Sequence, residues 1–250
     1  MIKKNYINLA NRAANLQINE LKKIKKVFNS SFIQAVDLIL SCKGKIICAG
    51  IGKSGIIARK ISATFSSVGI PSFFCDPAQA LHGDMGQIEK KDILIVFSYS
   101  GNTSELTNML KYANRYRIKI VGIASKSDSL LLKASDVKIL LPKVKESDVT
   151  GMVPTSSTSI TLLLGDCLAT TVMSKRKFSK EKFKVFHPGG NIGGSLLLAK
   201  DIMVTGNKLP LIDFKKNLNE ALTVMNKKKL GIIVILKNRF IAGLVTDGDL

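Results

Sequence analysis

The chain opens in a helical rhythm. Leu9, Ala13, Leu16, Ile18, Leu21, Ile24 and Phe28 recur at mixed three- and four-residue steps between Lys and Asn, so residues 5–41 read as helix, with a second helix over about Ser31–Leu40 before the turn at Lys43-Gly44. The period then shortens. KIICAG, PSFFCD, DILIVFSYS, KIVGIAS and VKILLP are short apolar runs that read as five buried strands. Helical stretches separate them: KSGIIARKISATFSSVG, ending at Gly69, then Thr103–Tyr116, then a short piece near Leu130. A long helix, Ser157–Met173, follows, its apolar face interrupted by Asp166. Strands alternating with helices at this spacing predict an α/β fold, a five-stranded parallel sheet covered by helices on both faces. After Lys200 the order becomes an extended segment, a helix, and two strands around a turn at Lys237-Asn238. The expected division is therefore residues 1–199 and a small second module over 200–250.

Composition changes this picture little. At 250 residues the chain can bury roughly 70–75% of its unfolded surface. Apolar residues make up 46% and charged residues 22%, a globular balance. No apolar run approaches the ~20 residues of a membrane span. The start, MIKKNYINLA, lacks a continuous apolar signal core, so a cytoplasmic protein with no membrane partner is expected. Cys42, Cys48, Cys75 and Cys167 show no C-x-x-C spacing and are expected as reduced thiols, three of them in apolar or helical stretches. The net charge of +20 raises nucleic acid as a partner, but the Lys residues are spread along the chain amid abundant Ile and Asn, so no nucleic-acid role is expected.

Two loops carry candidate chemistry. AGIGKSG, residues 49–55, contains Gly-Lys-Ser, yet the first Gly of a P-loop would fall at Ile47, which removes that reading. It also spells G-x-G-x-x-G after a strand and before a helix, with Asp76 about twenty residues on, as a dinucleotide site would have. A glycine turn for tight strand-to-helix packing explains the same pattern. SYSGNTSE shifts the balance: Ser98, Ser100 and Thr103 stand between a buried strand and a helix start, where hydroxyls and free N–H groups suit a phosphate dianion. One hydroxyl would suffice for a plain helix cap.

GIGKSG, AQALHGDMG, SYSGNTSEL, VPTSSTSITLLLGDCLA and HPGGNIG occur in the order and spacing of the D-arabinose-5-phosphate isomerases, and from about residue 30 to 250 the chain resembles that family. Its members join a sugar isomerase (SIS) domain to paired cystathionine-β-synthase (CBS) modules. The resemblance implies an aldose–ketose isomerase of D-ribulose 5-phosphate and D-arabinose 5-phosphate, an entry step to the Kdo sugar of lipopolysaccharide. It implies a sugar phosphate rather than a nucleotide on the glycine loop. By similarity, Ser54, Ser98, Ser100 and Thr103 would hold the phosphate, with Gly52 also binding substrate and His82 shaping the site. Lys53, Glu105, Glu146 and His187 match positions around the reacting carbons: Lys53 as electrostatic stabiliser, Glu105 or Glu146 as base, His187 in ring opening or proton shuttling. No cofactor and no catalytic metal is expected, and a homo-oligomer, dimer or tetramer, is.

This chain departs from the family pattern in three places. Asn102 replaces the usual Glu, the usual Cys-Pro near Glu146 is absent, and the sequence stops at VTDGDL, inside the first CBS module, so an adenine-nucleotide site is not expected. The competing readings are another SIS phosphosugar isomerase, such as a hexulose-phosphate isomerase, a non-catalytic phosphosugar sensor, and a dinucleotide-dependent oxidoreductase.

Overall fold

The computed structural model describes residues 2–187 and 198–250, in two compact units, Met1–Gly194 and Ser195–Leu250. The first unit holds five parallel strands: β1 (Ile46–Gly50), β2 (Ser72–Cys75), β3 (Ile93–Phe97), β4 (Lys119–Ala124) and β5 (Val137–Leu140). Their order is β2-β1-β3-β4-β5. β1 and β3 are buried along their whole length because both faces are covered, so nothing polar is tolerated on either side. Alternate residues supply two cores. Ile46, Cys48, Ile95, Phe97, Val121 and Ile123 pack with Ile61 and Leu164 on one face, whereas Ile47, Ala49, Leu94, Val96 and Ile120 pack with Leu106, Met109 and Leu131 on the other. At the sheet edge β5 alternates, Val137 and Ile139 in, Lys138 and Leu140 out.

Helices α1 (Ile2–Leu21), α2 (Ser30–Ser41), α3 (Gly52–Ser67), α4 (Pro77–Ala80), α5 (Leu106–Arg115), α6 (Leu130–Ala134) and α7 (Ser156–Lys175) surround the sheet. A 3₁₀ turn, Lys22–Val27, links α1 to α2, and a further helix over Lys180–Phe186 goes beyond the elements expected from the sequence. α3 and α7 meet closely at Gly165, where a Cβ would stand 2.5 Å from the Ile61 side chain. Asp166 accepts a hydrogen bond from Lys60 on α3, so the charge on the α7 face is paired at the rim of this contact. Cys48 and Cys75 are buried and Cys42 and Cys167 half-buried; all four are free thiols. Burial pushes Cys48 up to about 12 and Cys75 up to about 11, so neither is a thiolate near neutrality.

The second unit holds β6 (Leu211–Asp213), β7 (Ile232–Lys237) and β8 (Phe240–Thr246), with a helix over Leu218–Lys228. β6 pairs parallel with β7, and β7 antiparallel with β8. Lys237 pairs with Phe240, so the hairpin turn falls on Asn238-Arg239, one residue later than the pattern indicates. Both turn residues have positive φ, 52° and 71°, the primed geometry that matches strand twist. Among the described residues no helix is long and apolar enough to cross a membrane.

Candidate active site

In an open parallel sheet, ligands bind beyond the carboxyl ends of the strands, where the strand order reverses. Here that point lies between β1 and β3, and AGIGKSG and SYSGNTSE leave the sheet there side by side. The three glycines of the first loop do separate jobs. Gly50 and Gly55 let strand and helix touch: a Cβ on Gly55 would stand 2.6 Å from the Gly50 carbonyl oxygen. Gly52 has φ +58° and open space around it, so the turn into α3 presents backbone to solvent. Asp76, the acid a dinucleotide site would place on ribose, instead caps α4 by accepting from Ala78 N. The packing role of the glycines is therefore met, and α3 opens toward the second loop with the unbonded N–H groups of its first turn.

SYSGNTSE is a rigid turn. The Ser98 hydroxyl is buried, 2.9 Å from Thr103 Oγ1, and accepts from Gly101 N at 3.1 Å. Gly101 has φ +70°, its carbonyl accepts from Leu131 N, and Asn102 Oδ1 accepts from Leu130 N at 2.9 Å, which ties the loop to the start of α6. Because Thr103 and Ser104 close 3₁₀-like turns onto Leu106 and Thr107, α5 begins at Leu106 rather than at Thr103.

Lys53, Ser54, Tyr99, Ser100 and Glu146 line one cavity of about 380 Å³, closed on the α7 side by Ser157, Thr158 and Thr161. Lys53 is exposed and makes no ion pair among the described residues. Glu146 sits on an irregular segment after β5. Its Oε2 accepts from Thr155 N at 2.8 Å, Thr155 Oγ1 at 2.9 Å and Ser157 N at 3.2 Å. Burial alone would raise this carboxyl; hydrogen bonds from Ser157 and Thr155 outweigh it and hold the group below the usual glutamate value. The cavity thus sets a fixed carboxylate opposite a lysine, beside hydroxyls and a helix N-terminus: proton-transfer and anion-binding groups in one space.

The other expected site residues lie elsewhere in this chain. Ser98 and Thr103 stand behind Ser100 and bond to each other. Glu105 is exposed at the start of α5 and accepts from Ser104 Oγ at 2.8 Å. His82 is exposed on a turn after α4. His187 stacks on Phe183, Nδ1 2.9 Å from the Phe183 carbonyl oxygen, near Arg59 and Phe74 rather than in the Glu146 cavity. Residues 188–193, the rest of HPGGNIG, lie outside the described residues. Tyr99, Thr155 and Ser157 went unnoticed as site residues, although Thr155 and Ser157 belong to a hydroxyl-rich run before a helix, the signal that singled out SYSGNTSE. Among the described residues no group of three or more His, Cys, Asp or Glu is placed to hold a metal.

The fold and its cavity define a class: the chain belongs to the SIS-domain family, whose model matches residues 39–171. Within that class it is similar to arabinose 5-phosphate isomerases. It is 40% identical over 232 residues to arabinose 5-phosphate isomerase KdsD of Escherichia coli K12, covering 92% of this chain and 71% of that protein. It is 37% identical over 247 residues to the probable arabinose 5-phosphate isomerase of Haemophilus influenzae, covering 98% and 73%. Among solved structures, an Escherichia coli CFT073 protein in complex with arabinose 5-phosphate superposes with a TM-score of 0.73 at 32% identity, over 75% of this chain and all of that one.

Proposed function

We propose that this chain is an aldose–ketose isomerase that interconverts D-ribulose 5-phosphate and D-arabinose 5-phosphate and feeds Kdo and lipopolysaccharide synthesis. The observation that carries this reading is the single cavity holding Lys53, Ser54, Ser100 and Glu146 at the switch point of the sheet. The phosphate lies on the α3 N-terminus, with Gly52 allowing close approach, Ser54 and Ser100 donating, and Ser98 and Thr103 bracing the loop. Glu146 takes the proton from C2 of the open-chain aldose. The electron pair left behind forms an enediolate across C1 and C2; the proton returns at C1 while the C2 hydroxyl proton passes to O1, leaving the ketone at C2 and a hydroxymethyl group at C1. Lys53 faces the negative charge that develops on oxygen. No cofactor enters this chemistry.

Glu105 and His82 are exposed and His187 is half-buried, all outside the cavity, which supports a homo-oligomer, dimer or tetramer, in which they face a neighbouring copy's site. Mixing Lys53→Met with His187→Ala chains should then restore activity that neither has alone; no recovery after subunit exchange is verified would remove this arrangement. The parallel-then-antiparallel sheet of residues 211–246 is read as part of a CBS module. A chain ending near Lys200 should stay folded and keep activity within several-fold, and AMP or ATP should leave the 250-residue chain's rate unchanged. Aggregation of the short form, or a nucleotide response, would make the second unit a working part of the enzyme.

The function itself is tested by assaying purified protein against a panel of pentose and hexose phosphates, with arabinose 5-phosphate expected as the best aldose. Ser100→Ala combined with Thr103→Ala removes a donor and the loop brace. Charge-assisted hydrogen bonds contribute ~1.5–3 kcal/mol each, so sugar-phosphate affinity should weaken at least about tenfold. Unchanged affinity in the double variant would displace the phosphate from this loop.

A further inference from the structure

The carboxylate of Glu146 is only as well placed as the segment that carries it. Residues 142–147 form neither helix nor strand, and among the described residues no backbone-to-backbone hydrogen bond holds them. Their polar backbone groups still need partners, and side chains from distant parts of the chain supply them. From the end of α1, Glu20 Oε2 accepts from Lys145 N at 3.0 Å, and from the 3₁₀ turn that follows, Lys23 Nζ donates to the Lys143 carbonyl oxygen at 3.3 Å. Lys23 Nζ also stands 2.5 Å from Glu20 Oε2. One turn before Glu20, Gln17 donates to Ser147 Oγ at 3.1 Å and accepts from Ser159 Oγ at 3.1 Å, tying the segment to α7. From the opposite side, the Tyr99 hydroxyl accepts from Val144 N at 2.9 Å and donates to the Pro142 carbonyl oxygen at 3.2 Å. Tyr99 stands between Ser98 and Ser100, and its own carbonyl is fixed by Ser125 N and Ser125 Oγ.

We infer that Glu20 and Tyr99 are positioning residues for the isomerisation: side chains from α1 and from the phosphate loop that together fix the 142–147 segment and so the Glu146 carboxylate. Glu20 is a charged residue whose side chain is only 11% exposed, its burial offset by its bonds to Lys23 and to the segment, and it lies outside the residues matched by the SIS-domain family model. Tyr99 makes the span from the loop that holds phosphate to the segment that holds the base, so the two halves of the substrate are registered by one hydroxyl. A misplacement of about 1 Å costs a reaction of this kind up to ~10²-fold, which is the scale on which such a brace acts.

The inference rests on the reading of Glu146 as the proton-transfer group, and the test separates the two. Turnover and KM for arabinose 5-phosphate are measured for Tyr99→Phe, Glu20→Ala, Glu20→Gln and Glu146→Gln, then for Tyr99→Phe and Glu20→Ala each combined with Glu146→Gln. Tyr99→Phe and Glu20→Ala should each lower kcat about tenfold with KM within about threefold. Glu20→Gln should recover most of the loss, because an amide oxygen still accepts from Lys145 N. In the Glu146→Gln background neither change should lower the residual rate further, since both act through that carboxylate. If Glu146→Gln is slow while Tyr99→Phe and Glu20→Ala keep the parent kcat, the positioning inference is overturned and the function stands. Equal losses in both backgrounds also overturn it, because the residues would then act elsewhere. If Glu146→Gln keeps full turnover, the reading of Glu146 itself fails. Should Glu20→Ala not fold, Gln17→Ala, which frees Ser147 Oγ from α1, gives the same readout.

Discussion

Glu146→Gln is expected to lower turnover by about 10²–10⁴-fold, the usual worth of a positioned acid/base group, with KM changed by no more than several-fold. Glutamine keeps the volume and still accepts from Thr155 N, so the segment should keep its place while the proton acceptor is lost. Exchange of solvent deuterium into the substrate should fall in parallel, because both measure the same proton transfer. The pH profile carries the same information with a definite sign. Burial raises the Glu146 carboxyl, but hydrogen bonds from Ser157 and Thr155 more than offset this, so its value lies below the ordinary 4.5. The group is therefore ionised at neutral pH. Its contribution to rate, and to stability, is complete above the ordinary value and disappears as pH falls through the lowered one. Glu105→Gln is the necessary companion. Glu105 is exposed at a helix start in this chain, and its own backbone N–H and the Ser104 hydroxyl lower its carboxyl. A large loss in Glu105→Gln with none in Glu146→Gln would move the base to Glu105.

The sheet was legible because its signal is local: a parallel strand covered on both faces is a short unbroken apolar run, and β1, β3 and β4 are such runs. The two loops were legible for a related reason, since glycines and hydroxyls between a strand and a helix have few other uses. What escaped local reading is held by contacts across long stretches of chain. Glu20 meets Lys145 over 125 residues, and nothing in NLQINELKK marks one glutamate among polar neighbours as buried. Tyr99 reads as an apolar strand end, although its hydroxyl carries the span to Val144. Ser98 shows a subtler limit. By sequence its hydroxyl is one of three in a loop expected to meet phosphate, but in the fold that hydroxyl is engaged with Thr103 and Gly101, bracing the turn from within. His187 and Glu105 were picked out by their match to family positions, and that match does not say whether one chain's fold brings them into the cavity of Glu146.

Gly101→Ala is expected to cost about 2–5 kcal/mol of folding stability. Two effects add. Gly101 has φ +70°, a conformation that costs a residue with a side chain roughly 1–2 kcal/mol. The new Cβ would also stand 2.5 Å from Ser129 Cβ and 2.9 Å from Ala124 Cβ. Ser129 is fully buried and caps α6, and Ala124 ends β4, so neither yields cheaply, and overpacking of this kind costs ~1–3 kcal/mol. The loop would lose function with stability. Gly101 N donates to Ser98 Oγ, and Gly101 O accepts from Leu131 N, so a shift of Gly101 moves Ser100 away from the cavity. Urea denaturation measures the stability, and the upward shift of the unfolding midpoint on adding arabinose 5-phosphate measures binding; both should fall together. Combining Gly101→Ala with Ser129→Gly divides the cost. Removing the Ser129 side chain relieves the nearest clash but leaves the backbone strain and deletes the cap, so recovery should be partial. Full parent stability in Gly101→Ala alone would mean that the loop relaxes freely, and the rigid phosphate turn on which the site depends would have to be given up.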